Sequence, residues 1–452
     1  MPPSSTSVLV CRLGRSGRAA ARLLRAEGHP VHALDQGPVP DPVRQELETL
    51  GCRVHAGTGP TLPPDLPPCA CAVTSPGLPI DGPILAALRD RGIPVVSEIE
   101  LGWRRHPGHT LAVTGSNGKS SVVKLLADAL TAAGHRAVPC GNYGLPVCEA
   151  VMQTPAPDWL VIETSSFQLE TCHALRPDIA VLLNLLPNHL DRHGTMDAYG
   201  RLKARLFANQ TPADTAIVPA ADLARFRAWS GDAPARWQPF GGPDAPPAAY
   251  RWTPGALLPP TGDALPLAGY FDNPVLGPNA AAALAAAVAA GLPPADAARA
   301  LSSFEPLPHR SQCVADRDGI RWIDDSKATN LASLAASLEM QPAGRPIRLI
   351  AGGRPKETDF TPALDTLRRR AAAIYLIGEA APAMHAAWSA TVPCHLCHDL
   401  PAAAAAARRD ARPGDTILLA PGCTSYDQFP SYGARGDAFR ALATTLRDGP
   451  AP

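Results

Sequence analysis

Short apolar runs alternate with Ala- and Leu-rich segments of helical period along most of this chain, a pattern that predicts parallel sheets covered by helices. In the first of three such stretches, the predicted strands are residues 7–11, 29–34 and 71–74. A turn at 13–17 and a helix up to Glu27 join the first two strands. Asp35 and Ser75-Pro76-Gly77 follow two of the strands, so polar groups are expected at the ends of these strands.

The other two stretches repeat the pattern. The second has predicted strands at 110–113, 159–162 and 179–184, with a turn at 114–121 and a helix whose Val122, Leu126 and Ala129 share one face. The third begins near Phe304, with predicted strands at 319–323, 347–351, 373–377 and 416–419. The Pro-rich segment 237–266 is predicted to be a surface loop or small hairpin, and the Ala-rich tracts 280–290 and 402–407 are predicted to be helices.

These patterns predict an α/β protein of three domains. A length of 452 residues fits three cores, because a domain typically has roughly 150 residues. The predicted domains are 1–103, 104–303 and 304–452.

Composition narrows the classes of function. The 41 Lys and Arg balance the 41 Asp and Glu, so there is no global positive field to bind a nucleic acid or an anionic membrane. The N-terminus lacks the pattern of a secretory signal, and the longest apolar run, at 280–292, is too short to span a bilayer. Eleven scattered cysteines are typical of free thiols in a reducing compartment, so a cytoplasmic protein is expected.

One cysteine cluster could be mistaken for a haem site. Cys394-His395-Leu396-Cys397-His398 matches the C-x-x-C-H form of c-type haem attachment. Attachment would require export, and a zinc site would need a second pair of ligands. We therefore expect these cysteines to be buried or half-buried thiols near a strand edge.

The turn after the first strand of the second stretch has the composition of a phosphate-binding loop. It reads Thr114-Gly115-Ser116-Asn117-Gly118-Lys119-Ser120-Ser121 and joins a predicted buried strand to a helix. Backbone N–H groups at such a helix start face an anion, to which Lys119 adds a point charge and Ser120 a hydroxyl for Mg²⁺. The spacing departs from the standard P-loop because Val113 takes the place of the first glycine.

Polar residues at the ends of the next two strands are candidates for metal and phosphate binding. Glu163 ends one strand, where a carboxylate can hold the Mg²⁺ that bridges ATP phosphates. His189 follows the other and is expected at the same sheet edge, with a role at a second metal or at phosphate. An acid after a strand or a histidine in a loop often has no such role, so the combination is what supports the prediction.

Together these motifs resemble the Mur ligases. The segments that carry the resemblance are TGSNGKS at 114–120, ETSSFQLE at 163–170, NHLDRH at 188–193, LPHR at 307–310 and DDSKATN at 324–330. The last two, with APGCTSYDQF at 420–429, are most similar to the members that add D-glutamate to UDP-N-acetylmuramoyl-L-alanine. The resemblance covers nearly the whole chain, from 13–17 to 435–436.

The resemblance implies a cytoplasmic, ADP-forming ligase of peptidoglycan synthesis. In that family the γ-phosphoryl group of ATP passes to the alanine carboxylate, and the amine of glutamate attacks the acyl phosphate. The implied fold is an N-terminal Rossmann-like domain for the UDP-linked substrate, a central P-loop-type mononucleotide-binding parallel sheet, and a C-terminal Rossmann-like domain for glutamate. Two Mg²⁺ ions, a monomer and no nucleic-acid partner are also implied.

Carried over motif by motif, the resemblance implies the following roles. The catalytic residues would be Lys119, Lys203, His189 and Asn142, and the metal ligands would be Ser120, Glu163, His189 and a carbamoylated Lys203. ATP would contact Gly115, Ser116, Asn117, Gly118, Lys119, Ser120, Ser121, Asn279, Arg310, Asp325 and Lys327. The UDP-linked substrate would contact Gly14, Arg15, Ser16, Asp35, Ser75, Pro76, Gly77, Asn142 and Ser165, and glutamate would contact Thr329, Lys356, Ser425, Tyr426 and Tyr432.

The chain departs from the family pattern in three places. Pro278 and Ala282 replace a His and an Asn around Asn279, where adenine contacts are expected. Arg12 replaces the usual first glycine of the N-terminal loop. Arg354-Pro355 precede Lys356 where a smaller, more flexible pair is expected.

Three other hypotheses about the function are compatible with parts of the sequence. The first is a sibling amide ligase that adds another amino acid, or a folylpolyglutamate synthase. The second is a dinucleotide-binding oxidoreductase, suggested by the turn at 13–17, although Arg12 breaks the G-x-G-x-x-G pattern. The third is a nucleotide-binding scaffold without catalytic activity.

Overall fold

The computed structural model describes residues 6–75 and 77–445, and it has the predicted α/β architecture with three mostly parallel sheets. The described chain divides into two compact units. The first comprises Met1–Ala268 and Pro278–Ser303, and the second comprises Gly269–Gly277 and Phe304–Pro452. The first two sheets lie in the first unit and the third sheet in the second.

The first sheet has five parallel strands in the order β3-β2-β1-β4-β5. Its elements are β1 (Ser7–Cys11), α1 (Arg15–Ala26), β2 (Val31–Asp35), α2 (Asp41–Thr49), β3 (Arg53–Ala56), β4 (Cys69–Thr74), α3 (Pro83–Asp90), β5 (Val95–Ser97) and α4 (Glu98–Trp103). Strand β1 is the central strand, and its Val8, Leu9 and Val10 are therefore fully buried. This order is that of a Rossmann-like sheet, as predicted.

The second sheet has nine strands in the order β14-β13-β12-β11-β10-β9-β6-β8-β7. Its first elements are β6 (His109–Thr114), α5 (Lys119–Ala132), β7 (Ala137–Gly141), α6 (Val147–Ala150), β8 (Trp159–Glu163), α7 (Ser166–Leu169), β9 (Ile179–Leu182), α8 (Leu190–His193), α9 (Met196–Ala204) and β10 (Thr215–Pro219). They are followed by a 3-10 turn (Ala220–Asp222), α10 (Leu223–Trp229), β11 (Arg236–Gly241), β12 (Tyr250–Thr253), β13 (Ala256–Leu258), β14 (Leu265–Pro266), a 3-10 turn (Gly269–Phe271), α11 (Gly277–Ala289) and α12 (Pro294–Ser302). The predicted helical face is confirmed, since Val122, Leu126 and Ala129 are buried.

The prediction for the Pro-rich segment 237–266 was only partly right. Strands β12 and β13 do form an antiparallel hairpin, but β11 pairs in parallel with β10 and extends the main sheet. Trp252 and Leu257 are buried. The prolines hid the strand pattern in the sequence. One of them, Pro266, lies in the edge strand β14, where not every N–H must pair.

The third sheet has six strands in the order β15-β16-β20-β17-β18-β19, parallel except for the β15–β16 pair. Its elements are β15 (Gln312–Arg317), β16 (Ile320–Asp324), α13 (Leu331–Met340), β17 (Ile347–Gly352), a 3-10 turn (Thr361–Ala363), α14 (Leu364–Arg370), β18 (Ala371–Ile377), α15 (Ala381–Trp388), β19 (Cys394–His398), α16 (Leu400–Asp410), β20 (Thr416–Leu419) and α17 (Tyr432–Thr445). The sheet buries Leu349, Leu376 and Leu418 among its helices.

The C-x-x-C-H segment is the edge strand β19, as expected for half-buried thiols. Cys394 and Cys397 are partly buried, and burial raises the pKa of the Cys394 thiol to about 11. Within residues 6–75 and 77–445, no cluster of three or more His, Cys, Asp or Glu side chains is arranged to hold a metal. Over the same residues, no helix has the length and apolar character needed to cross a membrane.

A buried acid joins the first two sheets inside the first unit. Glu98, at the start of α4, is 2% exposed, and its Oε1 accepts a hydrogen bond of 2.6 Å from the backbone N–H of Cys148 in α6. Its other oxygen, Oε2, is buried with no hydrogen-bond partner among the described residues. Burial raises the pKa of Glu98 from 4.5 to about 7, so the folded chain favours the protonated acid.

Replacing Glu98 with glutamine is expected to remove one source of pH dependence from stability. In the unfolded chain the acid loses its proton near pH 4.5 and in the folded chain near pH 7, so wild-type stability falls as the pH rises through this window, by about 3 kcal/mol. Glutamine keeps the acceptor for Cys148 and does not titrate. Chemical unfolding from pH 4 to pH 8 should show a variant that gains on the wild type as the pH rises. Parallel curves would contradict the assignment.

Candidate active site

The predicted phosphate loop lies at the carboxyl edge of the second sheet. Strands β9, β6, β8 and β7 are parallel neighbours, so the residues that follow each of them meet at one edge. Gly118, just before α5, has a φ of +85°, and a Cβ there would lie 2.5 Å from Nδ2 of Asn279. Glycine is therefore required at this turn, and the buried Asn279 packs against the loop.

Asn184, which sequence reasoning treated only as the end of a strand, fixes the shape of this loop. Its Oδ1 accepts from the N–H groups of Ser116 and Asn117, at 3.0 and 2.9 Å, and its Nδ2 donates to the carbonyl of Asn117 at 3.1 Å. The N–H groups of Ser116 and Asn117 therefore already donate hydrogen bonds to Asn184 in this structure. The prediction of phosphate binding then rests chiefly on the start of α5.

Lys119 folds back across the loop. Its Nζ donates to the carbonyl oxygens of Gly115 at 2.9 Å and Ser116 at 3.0 Å. These two backbone carbonyls hold the ammonium over the loop. This position suits a charge that has to meet an anionic ligand.

Ser120, Glu163 and Asn142 form one hydrogen-bonded cluster beside the loop. The Ser120 hydroxyl donates to Oε2 of Glu163 at 2.6 Å, and Nδ2 of Asn142 donates to Oε1 at 2.7 Å. Glu163 is 2% exposed. The structure therefore brings together residues from the ends of three different strands, β6, β7 and β8.

The oxygen donors in this cluster fit Mg²⁺. The ion prefers oxygen ligands and usually keeps waters and phosphate oxygens in its coordination shell, so one carboxylate and one hydroxyl are enough protein ligands. A carboxylate as buried as that of Glu163 also requires compensation by nearby positive charge or hydrogen bonds. Ser120 and Glu163 are the residues that would hold the ion.

Lys203 is a fully buried lysine at the base of the phosphate loop. It lies on α9, is 1% exposed, and its Nζ donates to the carbonyl of Gly115 at 2.9 Å while lying 4.5 Å from the centre of the Tyr199 ring. Burial, and then the nearby charge of Lys119, lowers the pKa of Lys203 well below its usual value. The sequence showed only a basic residue on an amphipathic helix, and tertiary packing gave it this environment.

His189 follows β9 at the same sheet edge. Its φ of 54° is left-handed, and its ring lies 4.8 Å from the ring of Phe167. Nearby, His193 shares a hydrogen bond of 2.9 Å with the Ser166 hydroxyl. Ser165, predicted to contact substrate, accepts a hydrogen bond from the N–H of Gln168 and caps α7.

The predicted UDP-binding residues gather at the carboxyl edge of the first sheet. Gly14 precedes α1, Arg15 and Ser16 begin it, and Ser75 and Gly77 follow β4, whereas Pro76 lies outside the described residues. Asp35, at the end of β2, accepts from the N–H groups of Leu13 at 2.9 Å and Gly37 at 3.2 Å. Asp35 therefore holds the β1–α1 loop in shape.

The two edges of the first unit are directly linked. Nη2 of Arg15 donates to the carbonyl of Gly144 at 3.3 Å. Gly144 belongs to the same loop as Asn142, whose side chain reaches Glu163. A continuous run of candidate residues thus extends from the β1–α1 loop to the phosphate loop.

In the second unit, the predicted glutamate-binding residues lie at the carboxyl edge of the third sheet, where β16, β20 and β17 are parallel neighbours. Backbone hydrogen bonds of 3.0 and 2.9 Å pair Arg354 with Thr424, which places the segment bearing Lys356 beside Ser425. Ser425 is buried, Lys356 is exposed, and Tyr426 and Tyr432 are 64% and 39% exposed. Thr329 lies just before α13 at the same edge.

The residues predicted to contact ATP in this unit are close to that edge. Nζ of Lys327 lies 4.2 Å from the centre of the Tyr432 ring. Burial raises the pKa of Asp325 to about 6, and the charge of Arg310 opposes the rise. Lys327 and Tyr432 therefore lie together at this edge.

Sequence reasoning missed the residue that holds this edge together. Arg435, on α17, is 1% exposed and donates to the carbonyls of Ser326, Cys423 and Thr424 at 2.9 to 3.2 Å. Burial lowers its pKa to about 10. No local pattern marks it, because one arginine in a helix is usually a solvent-exposed charge.

Comparisons with known proteins agree with this geometry. Residues 113–250 match the Mur ligase middle domain, and residues 309–423 match the Mur ligase, glutamate ligase domain. The UDP-N-acetylmuramoylalanine--D-glutamate ligase of Anaeromyxobacter dehalogenans (strain 2CP-C) is 38% identical over 463 residues, covering 97% of both chains. The protein of that name from Frankia casuarinae is 40% identical over 454 residues, covering 98% of this chain and 94% of the relative.

A solved structure has the same fold. The crystal structure of MurF from Acinetobacter baumannii superposes with a TM-score of 0.61 at 19% identity, covering 96% of this chain and 93% of the other. At that level of identity the likeness concerns the fold alone.

Proposed function

Because the chain belongs to the Mur ligase family, we propose that it is an ATP-dependent ligase that joins D-glutamate to UDP-N-acetylmuramoyl-L-alanine in peptidoglycan synthesis. One observation carries the proposal: relatives of that name match 97 to 98% of the chain at 38 to 40% identity. The dinucleotide-binding and non-catalytic readings lose their support, since the match includes both the middle and the glutamate ligase domains.

The proposed reaction has two steps. A carboxylate is a poor electrophile, so its oxygen first attacks the γ-phosphorus of ATP, which forms an acyl phosphate and releases ADP. The amine of D-glutamate then attacks the acyl carbon, and the tetrahedral intermediate collapses with loss of phosphate to an amide. The protein has to align the reactants and neutralise their charges in both steps.

In this proposal the edge of the second sheet performs the phosphoryl transfer. Lys119 places its ammonium against the transferring phosphoryl group, and Asn142 orients Glu163 through their 2.7 Å hydrogen bond. Ser120 and Glu163 would hold one Mg²⁺, and His189 with a carbamoylated Lys203 a second. The ions, when bound, supply positive charge that offsets the negative charge of phosphate and carboxylate.

The other residues keep the roles that the family resemblance implies. The backbone and side chains of 115–121, with Asn279, Arg310, Asp325 and Lys327, are assigned to ATP. Gly14, Arg15, Ser16, Asp35, Ser75, Pro76, Gly77, Asn142 and Ser165 are assigned to the UDP-linked substrate. Thr329, Lys356, Ser425, Tyr426 and Tyr432 are assigned to glutamate, whose two carboxylates need a cation and hydroxyl donors.

The finer parts of the proposal concern organisation and setting. We assign the UDP-linked substrate to a domain at 1–103, ATP to 104–303 and glutamate to 304–452. A monomer acting in the cytoplasm, where ATP is available, completes the proposal.

The assay that tests the function uses purified protein with ATP, Mg²⁺ and UDP-N-acetylmuramoyl-L-alanine. D-Glutamate, L-glutamate or a diamino acid is then supplied in turn. We expect phosphate release and a product of increased mass with D-glutamate alone. Turnover with a different amino acid would reveal a sibling ligase, and release of phosphate without any amide product would refute the proposal.

A further inference from the structure

Arg12 lies where the first sheet forms a crevice. The strand order β3-β2-β1-β4-β5 changes direction between β1 and β4, and ligands of such sheets bind outside the carboxyl ends at that point. Arg12 is the first residue after β1, and its Nη1 donates to the carbonyl of Gly77, after β4, at 2.7 Å. The guanidinium therefore spans the crevice from one loop to the other.

The opposite loop is shaped to receive this side chain. A Cβ on Gly77 would lie 2.2 Å from Nη1 and 2.7 Å from Cζ of Arg12. Only a glycine at position 77 leaves room for the guanidinium in this place. Arg12 is nevertheless exposed, so solvent and a ligand can reach its side chain.

The backbone at Arg12 suits a glycine better than an arginine. Its φ is +69°, in the left-handed region that side chains other than Gly, Asn and Asp rarely adopt. The members of the family that the chain resembles usually have glycine here. Residues that keep an unfavourable backbone conformation are concentrated at functional sites, which makes a role for the arginine side chain worth testing.

The charges near the crevice favour an anionic ligand. The carboxylate of Asp35 accepts hydrogen bonds from the backbone N–H groups of Leu13 and Gly37, so its role is to hold the β1–α1 loop in shape. Arg15, also exposed, lies on the same loop and donates to the carbonyl of Gly144. Two guanidinium groups thus border the crevice, each anchored through a backbone carbonyl.

From this arrangement we infer that Arg12 binds the diphosphate of the UDP-linked substrate and adds a contact that the usual glycine lacks. The inference rests on the proposed function for the class of substrate. A guanidinium has five N–H donors in a planar fork that matches phosphate oxygens, so the hydrogen bond to Gly77 leaves donors for a bidentate contact. Arg12 thus increases the affinity for the substrate and takes no part in the chemical steps.

The test is Arg12→Gly, with Arg91→Gly as the matched control. Arg91 is exposed and follows α3, and its charge acts on Cys69 at the opposite, amino end of β4. Binding of UDP is measured by calorimetry and binding of uridine by NMR titration, with a non-hydrolysable ATP analogue saturating the phosphate loop. Neither measurement requires turnover.

We expect Arg12→Gly to weaken UDP binding about tenfold, the loss typical of a hydrogen bond to a charged group. Uridine affinity should not fall, because the nucleoside has no diphosphate for Arg12 to bind. Tm should not fall either, because glycine suits the left-handed backbone at this position. Arg91→Gly should change none of these quantities. Unchanged UDP affinity in Arg12→Gly, or an equal loss for UDP and uridine, would overturn the inference.

Failure of this inference can be told apart from failure of the proposed function. If the wild type turns over with D-glutamate and Arg12→Gly binds UDP normally, only the role of Arg12 is wrong. If the wild type binds UDP through Arg12 but forms no amide with any amino acid, only the proposed function is wrong.

Discussion

Replacing Lys119 with alanine is expected to lower kcat about 10³-fold, the size of loss seen when one charge-stabilising group is removed from an active site. Nζ of Lys119 lies over the phosphate loop, 2.9 and 3.0 Å from two backbone carbonyls, so the variant removes the charge without disturbing the sheet. Stability should change by less than about 1 kcal/mol, as for most substitutions outside the core. Steady-state phosphate release and a thermal unfolding curve measure both effects.

The matched control for Lys119 is Lys124→Ala on the same helix. Lys124 makes an ion pair with the exposed Asp128 one turn further along α5. Its loss removes one positive charge from the helix but none from the loop, so kcat should stay within twofold of wild type, as expected for an exposed pair that contributes about 0.5 kcal/mol. Wild-type activity in Lys119→Ala, or equal losses in both variants, would refute the role of the loop.

Activity is expected to depend on carbon dioxide through Lys203. The Nζ of this lysine is buried against Gly115 and Thr114, where an uncharged amine is favoured. A neutral amine can attack CO₂, forming a C–N bond and releasing a proton, and the product is a carbamate anion. Removing CO₂ from the buffers should lower kcat, and bicarbonate should restore it.

Substitutions at Lys203 distinguish whether the residue acts as a carbamate or as an ammonium. Lys203→Ala should lose at least about 10²-fold in kcat, because even residues that only support a metal ligand contribute up to about 10²-fold. Lys203→Arg should also be inactive, since it keeps the charge but forms no carbamate. A short carboxylic acid added to Lys203→Ala should restore part of the activity by supplying an anion in the vacated space.

The competing outcome for Lys203 is equally definite. If Lys203→Arg is active and carboxylic acids do not rescue Lys203→Ala, the residue acts as a cation. An NMR spectrum recorded after incubation with isotopically labelled bicarbonate provides the direct check. A carbamate signal present in wild type and lost in Lys203→Arg is the expected result.

Much of the fold was readable because its strands are continuous apolar runs. Strand β20 has the predicted bounds, β8 and β17 are longer than predicted by one residue at one end, and β6 is longer by one residue at each end. The agreement is close because a strand buried on both faces is apolar throughout. Strands β11 to β14 were not resolved in the sequence. Their prolines and alternating polar residues imitate a loop, and only pairing at the sheet edge makes them strands.

The candidate site was readable where its motifs are contiguous. The loop 114–121 and the acid of Glu163 stand next to strands that the sequence shows, and a parallel sheet necessarily brings their ends to one edge. Asn184 and Arg435 were not readable as site residues. Both act through backbone carbonyls or N–H groups that are distant in sequence, and such partners leave no local pattern.

The sequence by itself determined the three α/β sheets, the order of their motifs and the chemical class of the loop, because these follow from periodicity and from short contiguous segments. The tertiary structure alone decided which charges are buried and what they face. Lys203 and Arg435 resemble ordinary surface cations in the sequence, yet each is 1% exposed in the folded chain. Burial depends on segments that meet only after folding. It lowers the pKa of both side chains and requires each of them to have hydrogen-bond partners.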